Sequence, residues 1–206
     1  MPNVLAANTA VAGELSERGL VFLRRVHPSP SPEKLRQFAT FVAGLGFRLD
    51  RPQSRHALQE LINSAVGSPL SHAVNFALLK SFKQAEYTGR EDGHYALAAE
   101  DYCHFTSPIR RYPDLIIHRE LKLDRDSTAG SDAAVPMPAD LESIATYCSS
   151  QERRAEEAER EYCGWKKVQF MSDKLGEVYT GHIVGVQAFG FFVELDDVLV
   201  EGMVPV

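Results

Sequence analysis

The densest chemistry in the sequence lies in His104-Phe105-Thr106-Ser107-Pro108-Ile109-Arg110-Arg111-Tyr112-Pro113-Asp114, with His118 and Arg119 just beyond it. Each arginine offers a planar fork of donors that matches phosphate oxygens and keeps its proton. Thr106 or Ser107 can cap a helix with Pro108 at its first position, whose free N–H groups would point where an anion sits. Pro113 lacks an N–H, so the helix could instead begin at Tyr112–Pro113. Spacing leaves both starts open. Asp114 and His118 are four apart on one helical face. That spacing equally suits a purely structural role, with Asp114 fixing Arg111 or His118 while Leu115, Ile116 and Leu121 pack inward. The chemistry on offer is the gripping of a phosphate.

Several elements must position this block. Residues 4–18 read as a small-residue helix closed by Gly19. GLVFLRRV is an extended segment running into a Pro/Ser turn. Ser31-Pro32-Glu33 opens a helix whose Leu35, Phe38 and Val42 line one face, and Gly44 and Gly46 end it. Further helices are expected over 54–66 and 69–83, the latter opened by Ser68-Pro69. A Gly/acid-rich loop over 87–105 is expected to hold a short strand around Tyr95–Ala98. After the arginine block, residues 124–140 (DRDSTAGSDAAVPMPAD) form a second loop, expected to be mobile. Residues 140–171 read as one long helix, so charged at QERRAEEAERE that most of it should face water. From about Ser172 the pattern becomes Val-, aromatic- and Gly-rich, predicting three antiparallel strands. Three strands with a one-sided apolar face need partners to close a core, so an incomplete small barrel is expected.

Composition narrows the function classes. The chain has 206 residues, 44% hydrophobic and 24% charged, ordinary globular values. No apolar run approaches the ~20 residues of a spanning helix, and the start lacks the pattern of an export signal. With 22 Lys+Arg against 28 Asp+Glu, the net charge is -6, so any nucleic-acid role must come from a local basic site. Three cysteines without a C-x-x-C pair speak against a disulfide framework or structural zinc and suit a reducing cytoplasm.

HFTSPIRRYPDLIIHREL resembles the signature of the ribonuclease II/ribonuclease R family of exoribonucleases. LAANTAVA followed by FLRRVHPSPSPEKL resembles the family's upstream segment, and QERRAEEAEREYCGWKKVQFM its downstream helix. GEVYTGHIVGVQAFGFFVELDD resembles the start of the following RNA-binding OB-type barrel, in the manner of ribonuclease R. The resemblance covers essentially the whole chain in one order. It implies an α+β fold in two parts: residues 1–172 as the C-terminal portion of the catalytic domain, and residues 173–206 as the start of an OB-fold. It also implies processive 3′-to-5′ hydrolysis of single-stranded RNA to nucleoside monophosphates with two magnesium ions, in the cytoplasm. By motif position Arg110 holds the scissile phosphate. Thr106, Ser107, Arg111, His118 and Arg119 bind substrate beside it, and Asp114 and Tyr112 support the site. Glu159 falls at a site-lining glutamate. Phe189 and Phe192 become base-stacking rings, with His182 a further candidate.

Two-metal hydrolysis needs several carboxylates converging on ions about 3.5–4 Å apart. The family takes them from an aspartate-rich segment early in the catalytic domain, and nothing in this sequence resembles it. Asp196-Asp197 and Glu91-Asp92-Gly93 read as surface turns. The expectation is therefore a piece that supplies the phosphate clamp and RNA surface but no metal ligands, and that does not hydrolyse RNA alone. The alternatives are a non-catalytic RNA-binding module or an unstable gene fragment. Tyr102, His104 and Tyr112 either stack on bases or pack. Trp165 reads as a packing anchor where helix and barrel join.

Overall fold

The structure, a computed structural model, describes residues 2–127, 138–198 and 200–206. The chain divides into two compact units, Met1–Glu152 and Arg153–Val206. The centre of the expected loop over 124–140 lies outside the described residues, and both of its flanks are helical.

In the first unit, helix α1 (Pro2–Glu17) buries Ala12 and Leu15. Gly19 takes φ +68°, which lets the Gly19 N–H reach the Ser16 carbonyl and the Leu20 N–H reach the Leu15 carbonyl. That pair of bonds satisfies the carbonyls left over at the helix end. Strand β1 (Arg24–Val26) pairs antiparallel with β2 (Glu86–Thr88), Arg24 opposite Thr88. Between the two strands stand α2 (Pro32–Gly44), α3 (Arg55–Ala65) and α4 (Ser71–Ser81). Ser31 Oγ accepts from the Lys34 N–H and Ser54 Oγ from the Ala57 N–H, capping α2 and α3. These helices share a core of their own, including Leu35, Phe38, Val42, Leu58, Leu61, Val74 and Leu78.

Two local expectations are corrected. Helix α4 starts at Ser71, because Ser68 Oγ accepts from the Leu70 N–H and so holds a turn open ahead of it. The strand expected around Tyr95–Ala98 is a single 3-10 turn, Tyr95–Leu97, closed by Ala98 at φ +53°. His94 Nδ1 accepts from the Leu97 N–H there, which favours a turn over extension. The strand of this region is β2.

Helices α5 (Tyr112–Ser127) and α6 (Pro138–Ser172) complete the framework. The main core joins Ala12 and Leu15 to Phe22, Leu23, Tyr87, Cys103, Ile116, Ile117, Leu141 and Ala145. It therefore lies directly beneath the segment that carries the arginines. In the second unit, β3 (Gly181–Gln187), β4 (Gly190–Leu195) and β5 (Glu201–Pro205) form an antiparallel meander with a bulge between Ile183 and Gly185. A side chain at Gly190 would collide with the Val204 carbonyl oxygen, so glycine is required at that crossing. Val168 and Met171 from the end of α6, and Leu175 just past it, line an apolar groove with Val193, Leu195 and Met203. The fold is α+β, and the described strands do not close a barrel. Among the described residues no helix is long and apolar enough to cross a membrane.

Candidate functional site

Helix α5 begins at Tyr112, which settles the choice that spacing left open. Pro113 then sits in the first turn, where its missing N–H would have had no helical partner in any case. Ser107 through Arg110 form a tight turn, with the Arg110 and Arg111 N–H groups both directed at the Ser107 carbonyl. Thr106 and Ser107 therefore do not cap a helix at Pro108. The organising group is the fully buried Asp114, whose Oδ1 accepts from the Ser107 N–H at 2.8 Å and from Arg111 Nη2 at 2.8 Å. One carboxylate in the first helical turn thus closes the loop and holds one guanidinium.

The neighbouring arginines are consequently unlike. Arg111 is half-buried and tied to Asp114, whereas Arg110 is exposed beside a fully exposed Ile109. Tethering Arg111 leaves Arg110 as the fork at the surface of the turn. Among the described residues, Asp114 Oδ2 and Arg111 Nε are buried without a hydrogen-bond partner.

A buried network holds the approach to this corner. His118 Nε2 lies 2.9 Å from the Phe105 carbonyl, and its ring stacks on Phe105 with centroids 4.2 Å apart. The Phe105 N–H donates to Asn8 Oδ1, and Asn8 Nδ2 donates to the Tyr102 hydroxyl. Asn8, buried in α1, therefore clips the segment 102–105 in place. Tyr87 Oη lies 2.9 Å from His104 Nδ1. Burial pushes the Tyr87 hydroxyl up to about 12 and His104 down to about 4, so near neutrality this is a hydrogen bond between two uncharged groups. Arg25 lies over the Tyr87 ring and pairs with Glu152 at 2.5 Å. Arg24, almost wholly buried, pairs with Asp101 and covers the Phe22 ring.

The sequence-predicted residues separate accordingly. Thr106, Ser107, Arg110, Arg111, Tyr112, Asp114, His118 and Arg119 share one corner of the first unit. Tyr112 is exposed there, while Tyr102 is buried and His104 half-buried, so the latter two pack. Arg119 is exposed and lines a groove with Leu115, His118 and Lys122. Glu159, Phe189 and Phe192 belong to the second unit. Glu159 is exposed on α6; Phe189 is exposed and meets the half-buried Phe192 edge to face at 6.4 Å. His182 pairs with Asp196 at 2.9 Å. Trp165 departs from expectation: it is 57% exposed, with Tyr162 and Lys166 beside its ring. Sequence reasoning missed Asn8, Arg24 and Arg25. A lone asparagine in a small-residue helix and two arginines in an otherwise apolar strand were the available signs.

Within either unit taken by itself, the described residues bring no three carboxylate, histidine or cysteine groups together as a metal cage.

The corner lies inside the stretch that known proteins share. A family model described as the RNB domain matches residues 2–123. Ribonuclease R of Aquifex aeolicus (strain VF5) is 40% identical over 212 residues, covering 98% of this chain and 29% of the relative. Mycoplasma genitalium RNase R in complex with ribose methylated single-stranded RNA superposes with a TM-score of 0.85 at 27% identity, over 98% of this chain and 32% of that one. The same enzyme in complex with double-stranded RNA gives a TM-score of 0.80 at 28% identity, over 97% and 36%. The chain spans under a third of the length of the curated relatives it matches. With more than half of its residues inside the matched domain and the arginine corner among them, the chain belongs to the RNB-domain family.

Proposed function

We propose that this chain is part of a 3′-to-5′ exoribonuclease that hydrolyses single-stranded RNA processively to nucleoside monophosphates in the cytoplasm. Its share of the work is to grip the substrate. Arg110 clamps the scissile phosphate through two parallel N–H donors, and Arg111 fixes the geometry of the turn through Asp114. Thr106 and Ser107 line the approach, while His118 and Arg119 back the same corner. Glu159 on α6 and Phe189 and Phe192 on the incomplete OB-type sheet add contacts to the strand. The observation that carries this reading is the division of the arginine pair. A buried carboxylate immobilises one guanidinium and leaves its neighbour exposed, in a chain of which 98% aligns with 29% of a ribonuclease R. Magnesium ions, expected from the resemblance, would be held by carboxylates elsewhere in the longer enzyme.

Arg110→Lys in the longer enzyme keeps the charge but loses the fork. Turnover of a labelled single-stranded RNA should fall about 100-fold while binding changes little, because the lost bond strengthens as charge develops on the phosphate. Unchanged turnover would overturn the assignment. The purified chain with magnesium should leave the same RNA intact; cleavage that disappears in Arg110→Ala would overturn the division of labour.

A further inference from the structure

Among its described residues, α1 buries Asn8, Ala12 and Leu15, an apolar stripe at helical spacing with an amide set into it. Asn8 is only 1% exposed. An amide shut away from water costs stability unless it is hydrogen-bonded, and asparagine is a poorer helix former than the alanines around it. What it gains are bonds to one remote segment. Its Oδ1 accepts from the Phe105 N–H at 3.1 Å, and its Nδ2 donates to the Tyr102 hydroxyl at 2.9 Å. Its backbone carbonyl accepts from Cys103 Sγ at 3.6 Å.

Phe105 is gripped from two helices. Its N–H goes to Asn8 on α1, while its carbonyl accepts from His118 Nε2 on α5 at 2.9 Å, with the two rings stacked 4.2 Å apart. Only Thr106 separates Phe105 from Ser107, whose N–H is held by Asp114 and whose carbonyl receives the Arg110 and Arg111 N–H groups. A shift at residue 105 therefore has one residue in which to relax before it reaches the arginine turn. Asp114 and His118 both belong to α5 and tie the turn to its own helix. Asn8 ties it to α1, a separate part of the framework. We infer that Asn8 is a positioning residue for the phosphate clamp: too buried to meet a ligand itself, it fixes through Phe105 where the Arg110 turn stands. This rests on the role proposed for Arg110 and adds to it the group that holds the clamp from outside its own helix.

In the longer enzyme, Asn8→Ala should lower kcat on a labelled single-stranded RNA about 30-fold and leave KM within about twofold, because a displaced clamp is felt at the reacting phosphate more than in holding the strand. Asn8→Asp keeps an acceptor for the Phe105 N–H and offers one to the Tyr102 hydroxyl, so it should restore kcat to within about threefold of the parent. In an Arg110→Lys background, Asn8→Ala should cost less than about threefold more, since the fork it positions is already gone. A variant that is merely less folded loses the same factor in both backgrounds, and that result would overturn the proposal. A raised KM at unchanged kcat would overturn it, as would a folded Asn8→Asp enzyme as slow as Asn8→Ala. Thermal melts check folding. Should Asn8→Ala not fold, Tyr102→Phe, which removes only the partner of Nδ2, takes its place in the same cycle with an expected fall of about fivefold; no fall there overturns the proposal. Full turnover by Arg110→Lys would remove the clamp and this inference together. A slow Arg110→Lys beside a full-speed Asn8→Ala would strike Asn8 alone.

Discussion

The arginine corner and the exposed length of α6 are both rich in charge, and they use it in opposite ways. In the corner, charge is turned inward. Asp114 is fully buried, Arg24 nearly so, and an asparagine, two tyrosines and two histidines are knitted through the backbone of residues 102–107. The result is a stiff frame that ties down Arg111 and leaves its neighbour Arg110 exposed. Beyond Glu152, α6 keeps its charges in water, and what stands out is aromatic. A frame of buried hydrogen bonds suits a reacting phosphate, which must be held in one geometry.

The contrast can be broken most forcefully at Asp114. Asp114→Ala leaves the Ser107 N–H and the Arg111 guanidinium without their common acceptor, and should cost about 4 kcal/mol of stability in urea unfolding. A loss below about 1 kcal/mol would mean the carboxylate does not anchor the corner. Glu120 sharpens the picture from another side. It is buried on α5, its Oε2 has no hydrogen-bond partner among the described residues, and burial raises its carboxyl from 4.5 to about 8. The folded state then holds a proton that the unfolded chain releases. Stability should therefore fall as pH rises across that window, by up to about 1.4 kcal/mol per pH unit. Glu120→Gln should flatten this slope in urea midpoints measured across the window; an unchanged slope would place its origin elsewhere. His94 and His104, both lowered to about 4 by burial, act with the opposite sign and withdraw stability as pH falls from 6.5 toward 4. The smallest effect is expected at Arg110. Although it lies only four residues from Asp114, Arg110→Ala should leave the melting free energy within about 0.5 kcal/mol, because an exposed fork supports nothing beneath it. A larger loss would make Arg110 part of the frame.

Much of the local architecture could be read from side-chain types because its causes are local. Ser31 and Gly19 act within a few residues of themselves, and the apolar spacing of Leu35, Phe38 and Val42 names its own buried face. Tyr95–Leu97 defeated the same approach, since its apolar run suits a strand and only the His94 cap and the left-handed Ala98 close it into a turn. Trp165 defeated it as well: a large ring implies burial unless the surrounding helix is known to be solvated.

The sequence by itself determined the close of α1 at Gly19, the Ser31 start of α2, the long charged helix, the strand-rich end and the presence of two adjacent guanidinium groups, because each follows from neighbours along the chain. Only the tertiary structure decided which arginine is free. That choice depends on Asp114 being dry, and Asp114 is dry because α1, α5 and the segment 102–105 close over it from separate parts of the chain. Burial is a property of the assembled unit, and it alone divides a charged residue that frames a site from one that can meet a ligand.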